Sequence, residues 1–397
     1  MSKFASCKDF VMPIILFDDP KVRLQLLPIT FTRPVGALRM GLLTMWQRWR
    51  YFFNTDFFWQ TEPYLHAMFP EYTGHDIDDT LWIAGHVVAT EHLAAAIAAL
   101  TPGQQLEYDG RIIARRGSQT RETLGYDGDL ILIERVYDIF RYNDRVIAHD
   151  FDLVTSGRQS GPVSDTNTVI GPCDMIFVEN GVKAEGAIFN TTNGPIYLGE
   201  NCEVMEGSCL RGPIAIGEHS VVNMGTRIYG ATTLGPYCKV GGELNNVVMI
   251  GYANKAHDGF LGNAVIGEWC NLGGGTVASN LKNDYSEIKL WDYATHRFLR
   301  TGLQFCGLIM GDHSKSAINT TFNTATVVGV GCNIVSEGMP RVFIPSFSKG
   351  GTAGFENVNL NEFFTIAARV MGRRGVELTE SYRNMCSEIF NFADRFK

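Results

Sequence analysis

The chain has 397 residues, a hydrophobic content of 45% and a formal net charge of −8. This length predicts two domains with an appended terminal element, and the negative charge disfavours nucleic-acid binding because no basic field is available to hold phosphates. No apolar run is long enough to cross a bilayer, and acidic residues stand where a signal peptide would need its cleavage site. We therefore expect a cytoplasmic protein.

The nine cysteines are spread from Cys7 to Cys386 without a CxxC pair. An odd number of scattered cysteines is typical of reduced, buried thiols and argues against a disulfide framework or a zinc site.

Residues 1–155 mix strand and helix patterns and predict an α/β domain. The run PIILFDD (13–19) indicates a strand, and PVGALRMGLLTMWQRWRYFF (34–53) has helix-like spacing that begins with a proline. LWIAGHVV (81–88) and ATEHLAAAIAAL (89–100) read as a strand followed by a helix, and DLILIERVYDIF (129–140) suggests a strand that runs into a helix. Strands that alternate with helices favour a parallel or mixed sheet.

An aliphatic residue occupies every sixth position in the middle of the chain. The series comprises Leu198, Val204, Leu210, Ile216, Val222, Ile228, Leu234 and Val240. Such a hexapeptide repeat predicts a triangular prism, in which three short strands and three corners make one coil and the aliphatic residues stack inside. Glycines that follow these residues suit sharp corners where φ becomes positive. A β-sandwich is the alternative, but its turns usually recur every 8 to 12 residues.

Two interruptions break the repeat. After GGELNN (241–246) the series is predicted to resume two positions out of register, at Val248, Asn254, Phe260, Ile266, Leu272 and Ala278. A longer insertion, 280–304, follows, after which Ile318, Thr324 and Val330 indicate further coils. We predict that the β-helix spans residues 165–350 and that residues 359–397 form C-terminal helices with a glycine break near Gly372 and Gly375.

The hexapeptide repeat and the stretch KAHDGFLGNAVIGEWCNLGGGTVASN (255–280) resemble the bifunctional N-acetylglucosamine-1-phosphate uridyltransferase/glucosamine-1-phosphate acetyltransferase family. LLPITFTRPVGALRMG (26–41) and VYDIFRYNDRVIAHDFDL (136–153) resemble sugar nucleotidyltransferases built as a divergent, shortened version of that enzyme. The resemblance implies a left-handed parallel β-helix, a homotrimer formed through its flat sides, and an acyl-CoA site between neighbouring prisms.

The resemblance also implies roles for individual residues. His257 matches the catalytic base, and an imidazole suits removal of a proton from an attacking sugar amine. Its neighbour Asp258 either orients the imidazole or is a turn residue, and a structural loop histidine is the alternative for His257 itself. Four residues match substrate-binding positions. Asn271 and Asn280 position the acceptor and donor, and Arg227 or Lys289 contacts phosphate.

Several positions depart from the family pattern. Asn245 and Asn246 stand where a basic residue holds the sugar phosphate, and Phe260 stands where the family has a tyrosine. In the N-terminal domain the phosphate-binding turn keeps Arg33 but lacks glycines, so Arg33 is either a phosphate ligand or a structural ion pair.

The N-terminal metal site also departs from that pattern. Gly85-His86 replaces the Gly-Asp pair that holds Mg²⁺ in these enzymes, and histidine is a poor magnesium ligand. Asp18 and Asp19 remain as candidate Mg²⁺ ligands or as ordinary turn residues.

The leading hypothesis is a transferase of nucleotide-sugar metabolism. It combines acyl transfer from acetyl-CoA at the β-helix with a divergent nucleotidyltransferase-like domain, and its partner molecules are sugar phosphates or nucleotide sugars. One alternative is a single-activity sugar nucleotidyltransferase with a structural, trimerising β-helix. The other is a non-catalytic nucleotide-sugar sensor, which the missing glycine loop and the Gly-His replacement support.

Overall fold

A computed structural model describes residues 12–74, 79–335 and 338–396. Two bodies of β-structure make up most of these residues, namely an N-terminal mixed sheet and a long parallel β-solenoid, and C-terminal helices follow. No helix among the described residues is long and apolar enough to span a bilayer. The eight described cysteines are unpaired and six of them are buried, in agreement with the prediction of reduced thiols, whereas Cys7 lies outside the described residues.

The strands of the N-terminal region are β1 Ile14–Phe17, β2 Arg39–Met40, β3 Leu43–Thr44, β4 Phe57–Gln60, β5 Leu81–Ala84, β6 Gln104–Tyr108, β7 Arg111–Arg116 and β8 Glu122–Gly125. β2 and β3 form a separate hairpin, and the other six strands form one sheet in the order β4-β1-β5-β7-β6-β8. β1 pairs in parallel with β4 and β5, whereas β7 is antiparallel to both of its neighbours, so the sheet is mixed as expected.

The helices of this region are short and differ in part from the predicted ones. The alanine-rich helix is confirmed, but residues 34–53 do not form one helix, because Gly41 adopts a positive φ of 63° in the β2–β3 hairpin. The expected strand near residue 130 is a single bridge between Val87 and Leu132. The helices are α1 Pro20–Gln25, α2 Met45–Trp49, α3 Glu91–Ala98, α4 Asp138–Arg141 and α5 Asn143–Thr155.

The solenoid has three faces of parallel strands, and the corners of each coil lead from one face to the next. Face 1 contains Ile176–Val178, Ile196–Leu198, Ile214–Ile216, Thr232–Leu234, Ile309–Met310, Val327–Val328 and Phe343–Ile344. Face 2 contains Lys183–Ala184, Glu203–Val204, Val221–Val222, Lys239–Val240, Asn254–Lys255, Asn271–Leu272, Lys315–Ser316, Asn333–Ile334 and Ser348–Gly351. Face 3 contains Thr168–Ile170, Ile188–Asn190, Cys209–Arg211, Arg227–Tyr229, Val277–Ala278 and Thr321–Phe322. The long strands Glu243–Met249 and Phe260–Ile266 turn from face 3 into face 1.

The eight predicted aliphatic positions from 198 to 240 stack inside the solenoid, as the hexapeptide repeat requires. Each is at most 1% exposed, and residues 18 apart are paired, for example Val204 with Val222 and Val222 with Val240. The role predicted for the glycines is wrong in part. A Cβ on Gly235 would lie 1.9 Å from the Ile250 carbonyl oxygen, so glycine there permits close approach of the next coil, while the positive φ falls two residues later, at Tyr237.

The predicted register after residue 240 is wrong by one residue on half of its positions. Leu244, Met249, Lys255 and Leu261 are the inward residues, whereas Ile266, Leu272 and Ala278 are placed as predicted. Short corners cause the difference, because Leu244 follows the inward Val240 by four residues instead of six. Two later corners are shorter by one residue, where Asn246 and Asn263 turn the chain at positive φ without interrupting their strands. Ile318 is also not an inward residue, since it is 71% exposed and Ser316 takes that place.

The C-terminal helices are α6 Leu360–Gly372 and α7 Glu380–Ala393, with the predicted break between them. Two consecutive solenoid residues connect them and the N-terminal domain. Asp312 accepts hydrogen bonds from the side chains of Thr32 and Arg33, and the His313 ring lies 2.9 Å from the Tyr382 hydroxyl of α7. These two adjacent residues therefore contact both the N-terminal domain and the C-terminal helix α7.

Candidate functional site

His257 lies on the corner that leads from face 2 to face 3, and its side chain is exposed. A Cβ on Gly274, in the next coil, would lie 3.5 to 3.7 Å from the Cβ, Cγ and Cδ2 of His257. The imidazole therefore lies beside a corner without side chains, in GGG (273–275). Because nothing but glycine backbone adjoins it on that side, the ring is accessible to a small molecule.

The main chain around His257 is hydrogen-bonded to three neighbours. The Ala256 carbonyl accepts from Nδ2 of Asn223 at 2.7 Å, and the Asp258 carbonyl accepts from the Gly275 amide at 3.0 Å. The His257 carbonyl accepts from Nζ of Lys255 at 2.7 Å. Asp258 thus holds the next coil through its backbone, and its carboxylate has no described hydrogen bond to the imidazole.

A ladder of outward side chains runs along face 3 beside this corner. Arg227 pairs in register with Glu243, and Glu243 with Phe260. The Glu243 carboxylate accepts from the Tyr229 hydroxyl at 2.6 Å and lies 3.4 Å from Nη2 of Arg227. Arg227 therefore lies two strands from Phe260 along face 3, and its charge is already opposed by a carboxylate.

The two predicted asparagines lie on different faces. Asn271 is an exposed residue of face 2 that pairs with Asn254. Asn280 is 9% exposed, donates to Oδ1 of Asn263 at 2.8 Å, and lies near the Phe260 ring, since a Cβ on Gly262 would contact both. Asn280 thus lies at the corner that leads from face 3 to face 1, beside the Phe260 ring, whereas Asn271 lies on face 2.

Lys289 belongs to the insertion 280–304 and lies apart from His257 within one protomer. The insertion forms a hairpin of Lys289–Asp292 and Arg297–Arg300 that leaves the solenoid between face 3 and face 1. His257 occupies a different corner of the prism, so these two residues of a single chain are not brought together.

Arg33 is inside the protein, 5% exposed, between the N-terminal domain and the solenoid. Its guanidinium pairs with the buried carboxylate of Asp312 and lies 3.4 Å from Glu268. Of the two interpretations of Arg33, the geometry matches the structural ion pair.

Asp18 and Asp19 follow β1, at the carboxyl ends of the parallel strands, and border a cleft of about 400 Å³ in the N-terminal domain. Asp18 accepts from Arg23 at 2.9 Å, from Thr61 at 2.6 Å and from the Val35 amide at 2.8 Å. Burial raises the pKa of Asp18, against the lowering effect of Arg23. The Asp19 carboxylate accepts hydrogen bonds from the backbone amides of Lys21 and Val22 at the start of α1.

The Asp18 carboxylate does not fit a magnesium ion. Both oxygens of Asp18 already accept hydrogen bonds from donors, and Mg²⁺ needs free oxygen ligands in octahedral geometry. The described residues contain no group of three or more acidic, histidine or cysteine side chains that could hold a metal.

His86 ends the same strand region and is 2% exposed. Neither ring nitrogen hydrogen-bonds to a described residue, and burial lowers the pKa of His86 to about 4. The imidazole is therefore neutral at pH 7. The sequence identified this position as unusual but could not show that it is buried.

Comparison with protein families matches residues 14–159 to the model described as sugar nucleotidyl transferase. A curated relative, the bifunctional protein GlmU of Methanocaldococcus jannaschii, is 33% identical over 76 residues, which are 19% of this chain and 18% of that protein. The chain thus matches less than a fifth of the length of this relative.

Three of the solved structures that are similar to the chain are acyltransferases. The polySia-specific acetyltransferase NeuO shows 10% identity and a TM-score of 0.28 over 52% of this chain and 94% of that chain. An Arabidopsis UDP-N-acetylglucosamine acyltransferase shows 13% identity and a TM-score of 0.22 over 59% and 91%. AntD, an N-acyltransferase from Bacillus cereus in complex with dTDP and 3-hydroxybutyryl-CoA, shows 12% identity and a TM-score of 0.21 over 53% and 91%. The family match over residues 14–159 names a transferase, as the sequence predicted.

Proposed function

We propose that the protein is a transferase that moves an acyl group from acetyl-CoA to the amine of an amino sugar or sugar phosphate, with His257 as general base. The observation that supports this most directly is the exposed imidazole of His257 beside the glycine corner 273–275. An accessible imidazole on a fixed backbone meets the geometric need of a general base, which must reach the proton that it removes.

The proposed step forms one bond and breaks one. The acceptor amine attacks the thioester carbonyl carbon, so that a C–N bond forms and the C–S bond breaks. His257 takes the proton that the amine loses, and the sulfur of coenzyme A leaves and takes up a proton from the base or from water. Arg227 on the adjoining face 3, Asn271 on face 2 and Asn280 at the corner between face 3 and face 1 are the residues of this chain proposed to hold the substrates.

We further propose that the active unit is a homotrimer in which face 3 lies against a neighbour. Four apolar side chains of this face are between 36% and 45% exposed, namely Ile170, Ile188, Tyr229 and Val277. His257 stands at an open corner of a single protomer, so a neighbouring prism would complete the groove and could supply Lys289. A row of exposed apolar residues on one face is typical of an interaction surface.

The test of acyl transfer uses a matched pair of corner histidines. His257 and His219 are both exposed, and asparagine tolerates the positive φ of 54° at His219. Release of free thiol from acetyl-CoA is followed with glucosamine and glucosamine 1-phosphate as acceptors. We expect His257→Asn to lower kcat by about 10²- to 10⁴-fold and His219→Asn to leave it within about twofold. A folded His257→Asn variant with wild-type turnover would contradict the mechanism.

A second candidate function is sugar-nucleotidyl transfer by the N-terminal domain, which the family match to residues 14–159 favours. The cleft beside Asp18 and Asp19, at the carboxyl ends of β1 and β4, is where ligands bind in open α/β sheets. Pyrophosphate release from each of four nucleoside triphosphates with a sugar 1-phosphate would test it. Binding of a nucleotide sugar without turnover would instead support the sensor alternative.

A further inference from the structure

A buried lysine stands two residues before His257. Lys255 is 2% exposed and occupies an inward position of face 2, in register with Val240. Other inward positions of this column carry aliphatic side chains, such as Val204, Val222 and Leu272. Ser316 is also an inward polar residue of this column, but among the described residues Lys255 is its one charged side chain.

The ammonium group of Lys255 donates only to backbone carbonyls in the described structure. Nζ lies 2.7 Å from the His257 oxygen and 3.3 Å from the Gly241 oxygen of the preceding coil. Gly241 is itself in close contact with the corner, because a Cβ there would lie 2.4 Å from the Ala256 oxygen. The side chain of Lys255 therefore joins two successive corners from inside the prism, directly behind His257.

Placing a lysine there has an electrostatic cost. Burial lowers the pKa of Lys255 to about 8, although the nearby Asp258 carboxylate acts in the opposite direction. A buried charge of this kind lowers the free energy of unfolding, and such residues are expected where they serve a functional site and not stability. Hydrogen bonds from a charged donor are also stronger than neutral ones, which suits a group that must fix a backbone segment.

We propose that Lys255 is a positioning residue that fixes the main chain of His257, and with it the direction of the imidazole, by donating to the His257 carbonyl from inside the solenoid. This inference rests on the proposed role of His257 as the base. It assigns to Lys255 no contact with substrate. A small displacement of a catalytic group is known to lower turnover strongly, so the contribution is expected in kcat.

The test compares Lys255→Met with Lys239→Met. Methionine keeps the length of the buried side chain and removes its charge, and Lys239 is the residue of the neighbouring strand whose side chain lies on the outer surface of face 2. In the acetyl-CoA assay we expect Lys255→Met to lower kcat by about ten- to a hundredfold with little change in KM. Its thermal midpoint should be unchanged or higher, because a buried charge has been removed. Lys239→Met should behave as wild type.

Hydrogen exchange provides a second measurement that does not depend on activity. In a peptide covering 254–262, amides should exchange about tenfold faster in Lys255→Met than in wild type, and Lys239→Met should show no such change. Wild-type exchange and kcat in Lys255→Met would overturn the positioning role. A fall in thermal midpoint together with kcat would also overturn it, because the lysine would then be structural. Activity retained in His257→Asn would refute the proposed function instead.

Discussion

The buried pair of Arg33 and Asp312 permits a quantitative test of how the N-terminal domain is attached to the solenoid. Substitution Arg33→Met removes the guanidinium and leaves the Asp312 carboxylate, which is 1% exposed, without its cation. Breaking one side of a buried ion pair typically costs about 3 to 5 kcal/mol. Asp312 keeps two donors, the Thr32 hydroxyl at 2.7 Å and the Glu268 amide at 2.9 Å, so we expect the lower end, about 3 kcal/mol.

The assay is urea unfolding at pH 7 followed by tryptophan fluorescence, since Trp49 and Trp269 are buried in the N-terminal domain and the solenoid. Arg145→Met is the control, because its pair with Asp129 is exposed and such pairs contribute at most about 1 kcal/mol. A loss for Arg33→Met no larger than the control would refute the structural interpretation of this arginine. A thermal stabilisation by nucleoside triphosphates that disappears in Arg33→Met would show instead that Arg33 binds phosphate.

Three further predictions concern pH, glycine and assembly. The pKa of His86 is lowered to about 4, so the unfolded chain binds more protons than the folded protein between pH 4 and 6.5. The free energy of unfolding should therefore fall by about 3 kcal/mol as the pH decreases through that range, and acid unfolding of His86→Leu, which should lose this dependence, checks the sign. Gly241→Ala places a Cβ 2.4 Å from the Ala256 oxygen and should lower the thermal midpoint, whereas Gly274→Ala makes only ordinary contacts with His257 and should fold normally, as differential scanning calorimetry can show. Ile188→Lys on face 3 should be monomeric by light scattering and should lose acyl transfer, whereas Ile112→Lys, at an exposed position of β7, should change neither property. A trimeric Ile188→Lys variant would show that the interface lies elsewhere.

The regular part of the solenoid could be predicted from sequence because its rule is local. Each coil repeats the environment of the previous one, so an aliphatic residue every sixth position determines which side chains face inward from Leu198 to Val240. The rule fails where the corner length changes. Nothing in GGELNN shows that the corner at Asn246 shortens by one residue, and the register from Val248 to Phe260 was therefore misplaced.

The candidate site residues were predicted from the family resemblance and not from the repeat. The structure places His257 at an exposed corner, Arg227 and Phe260 in one column of face 3, and Asn280 beside the Phe260 ring. The environment of Lys255 was missed because the misplaced register made Asn254 the inward residue. The partner of Arg33 was also out of reach, since no local pattern connects residues 279 positions apart.

That separation has a consequence for synthesis of the chain. The aspartate that neutralises Arg33 is synthesised 279 residues after this arginine. At about 5 to 20 residues per second the wait is roughly 15 to 60 s. Until Asp312 has been made, the Arg33 guanidinium lacks this partner. We therefore expect water to hydrate the surface of the N-terminal domain that later contacts Asp312. Docking of the nascent domain is therefore timed by the translation of the coil that contains Asp312 and His313.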